Sequence, residues 1–251
     1  MKSMQIYNYL KQYPHIAVAF SGGVDSSYLL YAAREAGCQA HAYFIKSQFQ
    51  PQFEVDDAVR LADSLGVPLT IADFDVLCDP IVANNPPDRC YHCKNAILTK
   101  IWELAAADGF DVLCDGSNAD DDESDRPGMR ARREKGVISP LRECGYRKAD
   151  IRRLSKEAGL FTHDKPSYAC LATRIPTGTA ITAEMLDKIE RAEKKLSEMG
   201  FSDFRVRLIP PGGARIQMPN AQWDAAAAQR GAILAALAPD FDSIAIDLNP
   251  R

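Results

Sequence analysis

Residues 21–27 read SGGVDSS, two glycines among three hydroxyls and one carboxylate, directly after the apolar run Ile16-Ala17-Val18-Ala19-Phe20. Two glycines let a chain turn sharply at a strand end and bring main-chain N–H groups close to a ligand where side chains would obstruct it. Val24 to Ala36 then reads as a helix closing at Gly37, so its first N–H groups and the positive end of its dipole face the same point. Such a terminus binds anions. Ser21, Ser26 and Ser27 add donors, and Asp25 in the first turn suits orienting them or helping to hold Mg2+. A GxxxxGK[ST] loop would carry a lysine to the terminal phosphates, and SGGVDSS has none. The segment is read as a cradle for pyrophosphate.

The second chemical grouping is sulfur. Cys90 and Cys93 form a CxxC in PPDRCYHCKNA, a spacing that lets both sulfurs reach one metal at a helix start, where the dipole also lowers a thiol pKa. A zinc site wants four ligands, and there is no second CxxC or HxxxH; His92, Cys114 and Cys144 are the available supplements. Cys170, in a loop flanked by Pro166 and Pro176, is the remaining partner, and three cysteines on an iron–sulfur cluster leave one iron open to exogenous ligands. Lys165, Arg174 and His163 near it in sequence favour a thiolate, which is a nucleophile towards an adenylated carboxylate. Cys38, Cys78, Cys114 and Cys144 read as small buried hydrophobes.

These residues need a frame. Apolar runs at 16–20, 40–45, 69–74 and 110–114 alternate with helical periodicity at 24–36, 53–65 and 93–107. Strands separated by helices pair in parallel through right-handed crossovers, so the fold class expected is α/β, a doubly wound parallel sheet. Ligands of such sheets sit outside the carboxyl ends of the strands, which aims Lys46-Ser47-Gln48 and Asp115-Gly116-Ser117-Asn118 at the nucleotide. Residues 118–144, with acidic Asp120, Asp121, Asp122, Glu123 and Asp125 before basic Arg126, Arg130, Arg132, Arg133 and Lys135, read as a solvated loop before a helix at 147–158. After a loop at 160–182, a helix at 183–199, strands at 203–209 and 213–218, a helix at 221–237 and a strand at 241–247 form a smaller α/β unit. The domains expected are therefore 1–175 and 176–251.

At 251 residues the chain buries one sizeable core with enough left for that second unit. A net charge of -4 gives no footing for broad nucleic-acid or membrane binding and disfavours a tRNA substrate. No apolar signal region opens MKSMQIYNYLKQYPH and no window approaches a membrane span, so a cytoplasmic location is expected. Seven cysteines in a reducing compartment point to metal, redox or sulfur chemistry rather than a disulfide framework.

SGGxDS resembles the PP-loop of the ATP pyrophosphatase superfamily. Together with NPPDRCYHCK, DGSNADD, DRPGMRA, SPL, DKPSYACLATRIPTG, FRVRL and ARIQM, it makes nearly the whole chain similar to the LarE family. Those proteins are ATP-dependent sulfur transferases that make pyridinium-3,5-bisthiocarboxylic acid mononucleotide, a precursor of the nickel-pincer nucleotide. The resemblance implies ATP and Mg2+, a small-molecule nucleotide substrate and a homo-oligomer. It implies that a carboxylate attacks the α-phosphate of ATP, pyrophosphate leaves, and sulfur then displaces AMP. In one subgroup the cysteine matching Cys170 gives up its own sulfur and becomes dehydroalanine; in another, three cysteines hold a [4Fe-4S] cluster. Cys90, Cys93 and Cys170 together resemble the second. Ser21, Gly22, Gly23, Asp25 and Ser26 then cradle the β- and γ-phosphates, Ala19, Phe20 and Ser47 lie along the adenosine, and Gly116, Asn118 and Asp122 close the site. Arg205 and Arg207, two apart on one strand, share a face and make a fork for the mononucleotide phosphate, or else are solvated arginines on an edge. Glu190 and Glu193, one helical turn apart, are either divalent-ion ligands or surface charges pairing with Lys194. Arg174 and Lys165 are placed at the adenylate or the thiolate. The competing readings are a PP-loop amidoligase of the GMP or NAD synthetase kind, a tRNA thiolase, and a metal-binding module without catalysis.

Overall fold

The computed structural model describes residues 2–121 and 127–251. In chain order it runs α1 (Lys2–Leu10), β1 (His15–Ala19), α2 (Val24–Glu35), β2 (Gln39–Lys46), α3 (Gln52–Leu65), β3 (Leu69–Asp73), α4 (Pro80–Ala83), α5 (Arg89–Ala107) and β4 (Leu113–Asp115). There follow α6 (Pro127–Glu134), α7 (Pro140–Glu143), α8 (Lys148–Glu157), α9 (Ala183–Glu198), β5 (Arg205–Ile209), β6 (Gly213–Gln217), α10 (Trp223–Ala228), α11 (Arg230–Leu237) and β7 (Ser243–Ile246).

The first four strands form one parallel sheet in the order β3-β2-β1-β4. Period-two alternation sorts its side chains to two cores. Ile16, Val18, Ala42 and Phe44 face one with Leu29, Ala33, Leu61 and Ile151, whereas Ala17, Tyr43, Ile45 and Leu113 face the other with Leu98, Ile101 and Ala105 of α5. Helices on both faces make the sheet doubly wound. The strand order reverses between β1 and β4, the switch point where ligands of open α/β sheets bind, and SGGVDSS leaves β1 at that point.

β4 is shorter than its apolar run suggests, because Phe110 closes the end of α5 through its N–H to the Ala105 carbonyl at 2.8 Å, before the chain joins the sheet. Within 118–144, two short helices replace the expected loop: α6 buries Met129 and Ala131, and α7 buries Pro140 and Leu141. With so few apolar residues among the charges, neither carries a readable period.

Backbone contacts divide the chain into two compact units, one through Val76 with Asp88–Lys165, the other Leu77–Pro87 with Pro166–Arg251. The boundary expected near 175 thus lies at 165–166, and the second unit recruits an earlier segment. Asn85 explains that recruitment: its buried amide donates to the Pro176 and Thr179 carbonyls at 2.9 and 3.2 Å, while Gly178 N–H and Ile181 N–H donate to the Asn85 and Ala83 carbonyls. In this unit β5 and β6 are antiparallel, β6 and β7 parallel, and α9 covers β5 with Leu186, Ile189, Ala192 and Leu196. Among the described residues no helix is long and apolar enough to cross a membrane.

Candidate functional site

In the first unit the loop after β1 is ordered by its own hydroxyls. Ser21 N–H donates to Ser26 Oγ at 3.3 Å, the two hydroxyls stand 3.1 Å apart, and Ser26 Oγ donates to the Gly23 carbonyl at 3.2 Å. Gly22 has φ +69, and a Cβ there would stand 3.0 Å from the Glu54 carbonyl, so both sterics and conformation call for glycine. Gly23 starts α2 and has no side chain to cap it, so the N-cap residue gives the first-turn N–H groups no capping oxygen. A helix start of this kind suits an anion such as a phosphate oxygen. Phe20 is packed in the core, so the residues expected along the adenosine contribute unequally: Ala19 is half-buried at the strand end, whereas the Phe20 ring is turned inward. Ser47 is buried too, its Oγ donating to Gln50 Oε1 at 2.6 Å and accepting from Phe49 N–H.

The loop after β4 presses against this turn. A Cβ on Gly116 would lie 2.6 Å from Ser26 N and 2.9 Å from Ser26 Cα, backbone that cannot give way. Behind it, buried Asp115 accepts from Ser117 N–H and Oγ at 3.0 Å, Ser139 Oγ at 2.8 Å and Arg132 Nε at 2.5 Å. Asn118 is buried and shapes its own loop, its Oδ1 accepting from Asp120 N–H and its N–H donating to Asp121 Oδ2. Asp122, the third residue expected to close the site, lies outside the described residues.

Two lysines missing from the expected set, or placed elsewhere, act on the loop. Lys148 of α8 is paired with Asp25. Burial pushes the Asp25 carboxyl above its ordinary pKa against the lowering pull of Lys148, and its Oδ1 is buried with no hydrogen-bond partner among the described residues. An orphaned carboxylate oxygen beside an uncapped helix start fits a divalent cation carried on a polyphosphate, with Asp25 as its protein ligand. Lys165, expected near the cysteine, instead braces the loop: its ammonium donates to the Gly22 carbonyl at 3.2 Å and to Asp57 at 2.6 Å.

Cys90 and Cys93 occupy the first turn of α5, the former exposed and the latter buried, with Arg89 donating to the Cys90 sulfur at 3.5 Å. Cys170 belongs to the second unit, where its carbonyl accepts from Thr173 N–H and Oγ1. Among the described residues no three His, Cys, Asp or Glu side chains are grouped as a metal site. The thiol pair is therefore a partial ligand set.

The second unit holds a pocket of about 570 Å³ lined by Ser167, Tyr168, Thr173, Gln217 and the guanidinium groups of Arg174, Arg205, Arg207 and Arg251. Arg205 and Arg207 share a face of β5, as strand periodicity requires, and Val206 and Leu208 are buried on the other. Arg205 donates to the Ser167 carbonyl and its guanidinium lies 4.9 Å from the Tyr168 ring centre, with Arg174 4.6 Å from the same ring. Arg207 donates to Gln217 Oε1 and the Thr173 carbonyl at 3.1 and 2.9 Å. Burial, then Arg174 and Arg251, pull the Arg205 pKa down to about 10, and Arg207 is lowered for similar reasons. A group of cations that depress one another is relieved by an anion.

Glu193 is the counter-ion of this pocket and does not stand with Glu190 as an exposed ion-binding pair or a surface charge. Its Oε1 accepts from Arg174 Nε at 2.8 Å and Val206 N–H at 2.9 Å, and its Oε2 accepts from Tyr168 Oη at 2.5 Å and Arg174 Nη2 at 3.2 Å. Arg174, expected at the thiolate or adenylate, is 2% exposed and held by that carboxylate; it shapes the pocket wall. Tyr168, Gln217 and Arg251 were beyond reach of the sequence reading, since only register and chain return bring them to β5.

A parallel sheet with a glycine loop at its switch point, opening onto an uncapped helix, defines an adenine-nucleotide domain of the HUP class, and a family profile described as the tRNA methyl transferase HUP domain matches residues 14–135. The chain is 34% identical over 215 residues to the pyridinium-3,5-bisthiocarboxylic acid mononucleotide synthase of Lactiplantibacillus plantarum, covering 85% of this chain and 78% of that protein. It is 36% identical to an uncharacterized protein of Synechocystis sp. over 82% of this chain and 76% of that one. A tRNA-specific 2-thiouridylase of Thermotoga sp. is 26% identical, over 60% of this chain and 54% of the thiouridylase. The chain belongs to the LarE family of PP-loop proteins.

Proposed function

We propose that this chain is an ATP-dependent sulfur transferase acting on pyridinium-3,5-biscarboxylic acid mononucleotide. One observation carries the reading beyond nucleotide binding: Ser167, Tyr168, Ala169 and Thr173, which line the arginine pocket, flank Cys170 on the same loop. A thiol thus stands beside a site suited to a phosphate-bearing acceptor.

An acceptor carboxylate oxygen bonds to the α-phosphorus of ATP and the bond to the β-phosphate oxygen breaks. The N–H groups and hydroxyls from Ser21 to Ser27 take up the charge that develops on departing pyrophosphate. Bound Mg2+ neutralises phosphate charge, and Asp25 is the residue that would hold it. Sulfur then attacks the adenylate carbonyl carbon and AMP leaves; where the nucleophile is Cys170 Sγ the product is a thioester, and loss of the Cys170 Cα proton with cleavage of its Cβ–Sγ bond frees the thiocarboxylate and leaves dehydroalanine. The nucleophile is the Cys170 sulfur itself; the alternative is a sulfide that a [4Fe-4S] cluster would supply, for which Cys90 and Cys93 would be ligands, and iron and acid-labile sulfide assays on anaerobically purified protein separate the two. Self-association through the C-terminal residues 176–251 is part of the same reading, and sedimentation velocity measures it.

Cys170→Ala tests the assignment: it retains pyrophosphate release and loses thiocarboxylate. Thiocarboxylate formed by this variant at the unaltered rate would refute a sulfur-bearing role. The similarity to tRNA-specific 2-thiouridylases supports a second reading, the same adenylation and sulfur transfer at a tRNA base, which tRNA binding in a filter assay tests.

A further inference from the structure

Lys148 opens α8, and its ammonium meets the carboxylate of Asp25 in the first turn of α2. The base of this lysine is fixed. Its N–H donates to Asp120 Oδ2 at 2.8 Å, and Asp120 N–H donates to Asn118 Oδ1 at 2.9 Å, so the start of α8 is tied to the loop after β4. α8 packs along α2, with Ile151 and Leu154 in the shared core. Its charged end is not locked: the side chain is 33% exposed, on a flexible four-carbon stem. Asp25 in turn presents one oxygen to Lys148 and keeps the other buried without a partner among the described residues.

An ammonium, a carboxylate and an uncapped helix start therefore share one position. A triphosphate arriving with a divalent ion changes what each prefers. Phosphate oxygens compete with the carboxylate for the ammonium, and the divalent ion competes with the ammonium for the carboxylate. Two cations on one half-buried carboxylate repel each other, so a divalent ion arriving at Asp25 Oδ1 weakens the Lys148 contact at Oδ2.

Resting on the ATP reading above, we propose that Lys148 is a nucleotide-contacting switch. In the nucleotide-free chain it holds Asp25 and closes the position of the divalent ion. On binding, its ammonium moves to a phosphate oxygen and releases Asp25 to the metal. α8 thereby supplies the cation that a GxxxxGK[ST] loop carries in its own sequence.

The test uses the full chain, Mn2+ alone followed by electron paramagnetic resonance, and α,β-methylene-ATP, which cannot be split between its α- and β-phosphates, followed by calorimetry. Lys148→Met binds Mn2+ alone about tenfold more tightly than the unaltered chain, and binds the analogue with Mg2+ about tenfold more weakly. Loss of a merely structural ion pair moves both affinities in one direction. Asp25→Asn is an independent arm: in EDTA it binds the analogue more tightly than the unaltered chain, because Lys148 is no longer engaged. Unchanged or weaker Mn2+ binding by Lys148→Met, unchanged analogue affinity in that variant, or no gain for Asp25→Asn in EDTA overturns the switch. An unaltered chain that fails to bind the analogue at all removes the ATP reading and the switch with it.

Discussion

Arg174 and Glu193 form a two-point ion pair, Nε to Oε1 at 2.8 Å and Nη2 to Oε2 at 3.2 Å, with side-chain exposures of 1% and 7%. It joins the loop that carries Cys170 to α9 and, through Val206 N–H, to the strand that carries the pocket arginines. Removing one member of a buried pair leaves an uncompensated charge and costs about 3–5 kcal/mol. Glu193→Gln is therefore expected to lower the urea midpoint by a corresponding amount, and Arg174→Met, Glu193→Met together to lower it less than either alone. Additive losses in this cycle would show that the two residues do not act as a pair.

Gly116→Ala tests the contact between the loop after β4 and SGGVDSS. The new methyl group meets the backbone of Ser26. ATP affinity is expected to fall by about tenfold or more, and stability by about 1–3 kcal/mol, the overpacking range. Calorimetric titration and urea unfolding measure the two.

Asp25 gives stability a defined pH dependence. Burial raises its folded-state pKa above the ordinary 3.8, so between those values the folded chain binds more protons than the unfolded one. Its contribution to stability then falls as pH rises through that window, and at neutral pH the ionised carboxylate is a cost. Asp25→Asn is expected to be more stable than the unaltered chain at pH 7, with the difference narrowing as pH drops to the ordinary carboxylate range. Urea midpoints across that range that diverge on acidification would contradict this.

Arg207 is the cleaner probe of the pocket, because Arg205 is nearly buried and also ties down the Ser167 carbonyl. Arg207→Ala is expected to raise KM for the phosphate-bearing acceptor by roughly 10- to 100-fold, the worth of a charged hydrogen bond, with kcat little changed. An acceptor lacking the phosphate shows no such difference. Steady-state kinetics with both acceptors check it.

The sheet was legible because its strands are apolar runs separated by helical periods, and SGGVDSS declares its turn through glycine and hydroxyl content. The strand register alone was enough to place Arg205 and Arg207 on one face. Glu193 was misplaced for a physical reason: an i, i+3 carboxylate pair looks solvent-facing until a buried guanidinium from another element claims one member. Lys148 sits in RKADIRR, where nothing local separates it from the surrounding basic residues, and only the packing of α8 on α2 brings it to Asp25. Lys165 shows the same limit, since nearness in sequence to Cys170 suggested a contact that Gly22 and Asp57 supply instead.

The central claim is that the acceptor carboxylate is adenylated before sulfur enters. Pyridinium-3,5-biscarboxylic acid mononucleotide labelled with oxygen-18 in its carboxylates tests it, with mass spectrometry of the nucleotide product after one turnover. Attack on the α-phosphorus and later displacement by sulfur carries one labelled oxygen into AMP, accompanied by pyrophosphate. Unlabelled AMP, or ADP with inorganic phosphate, would contradict the account.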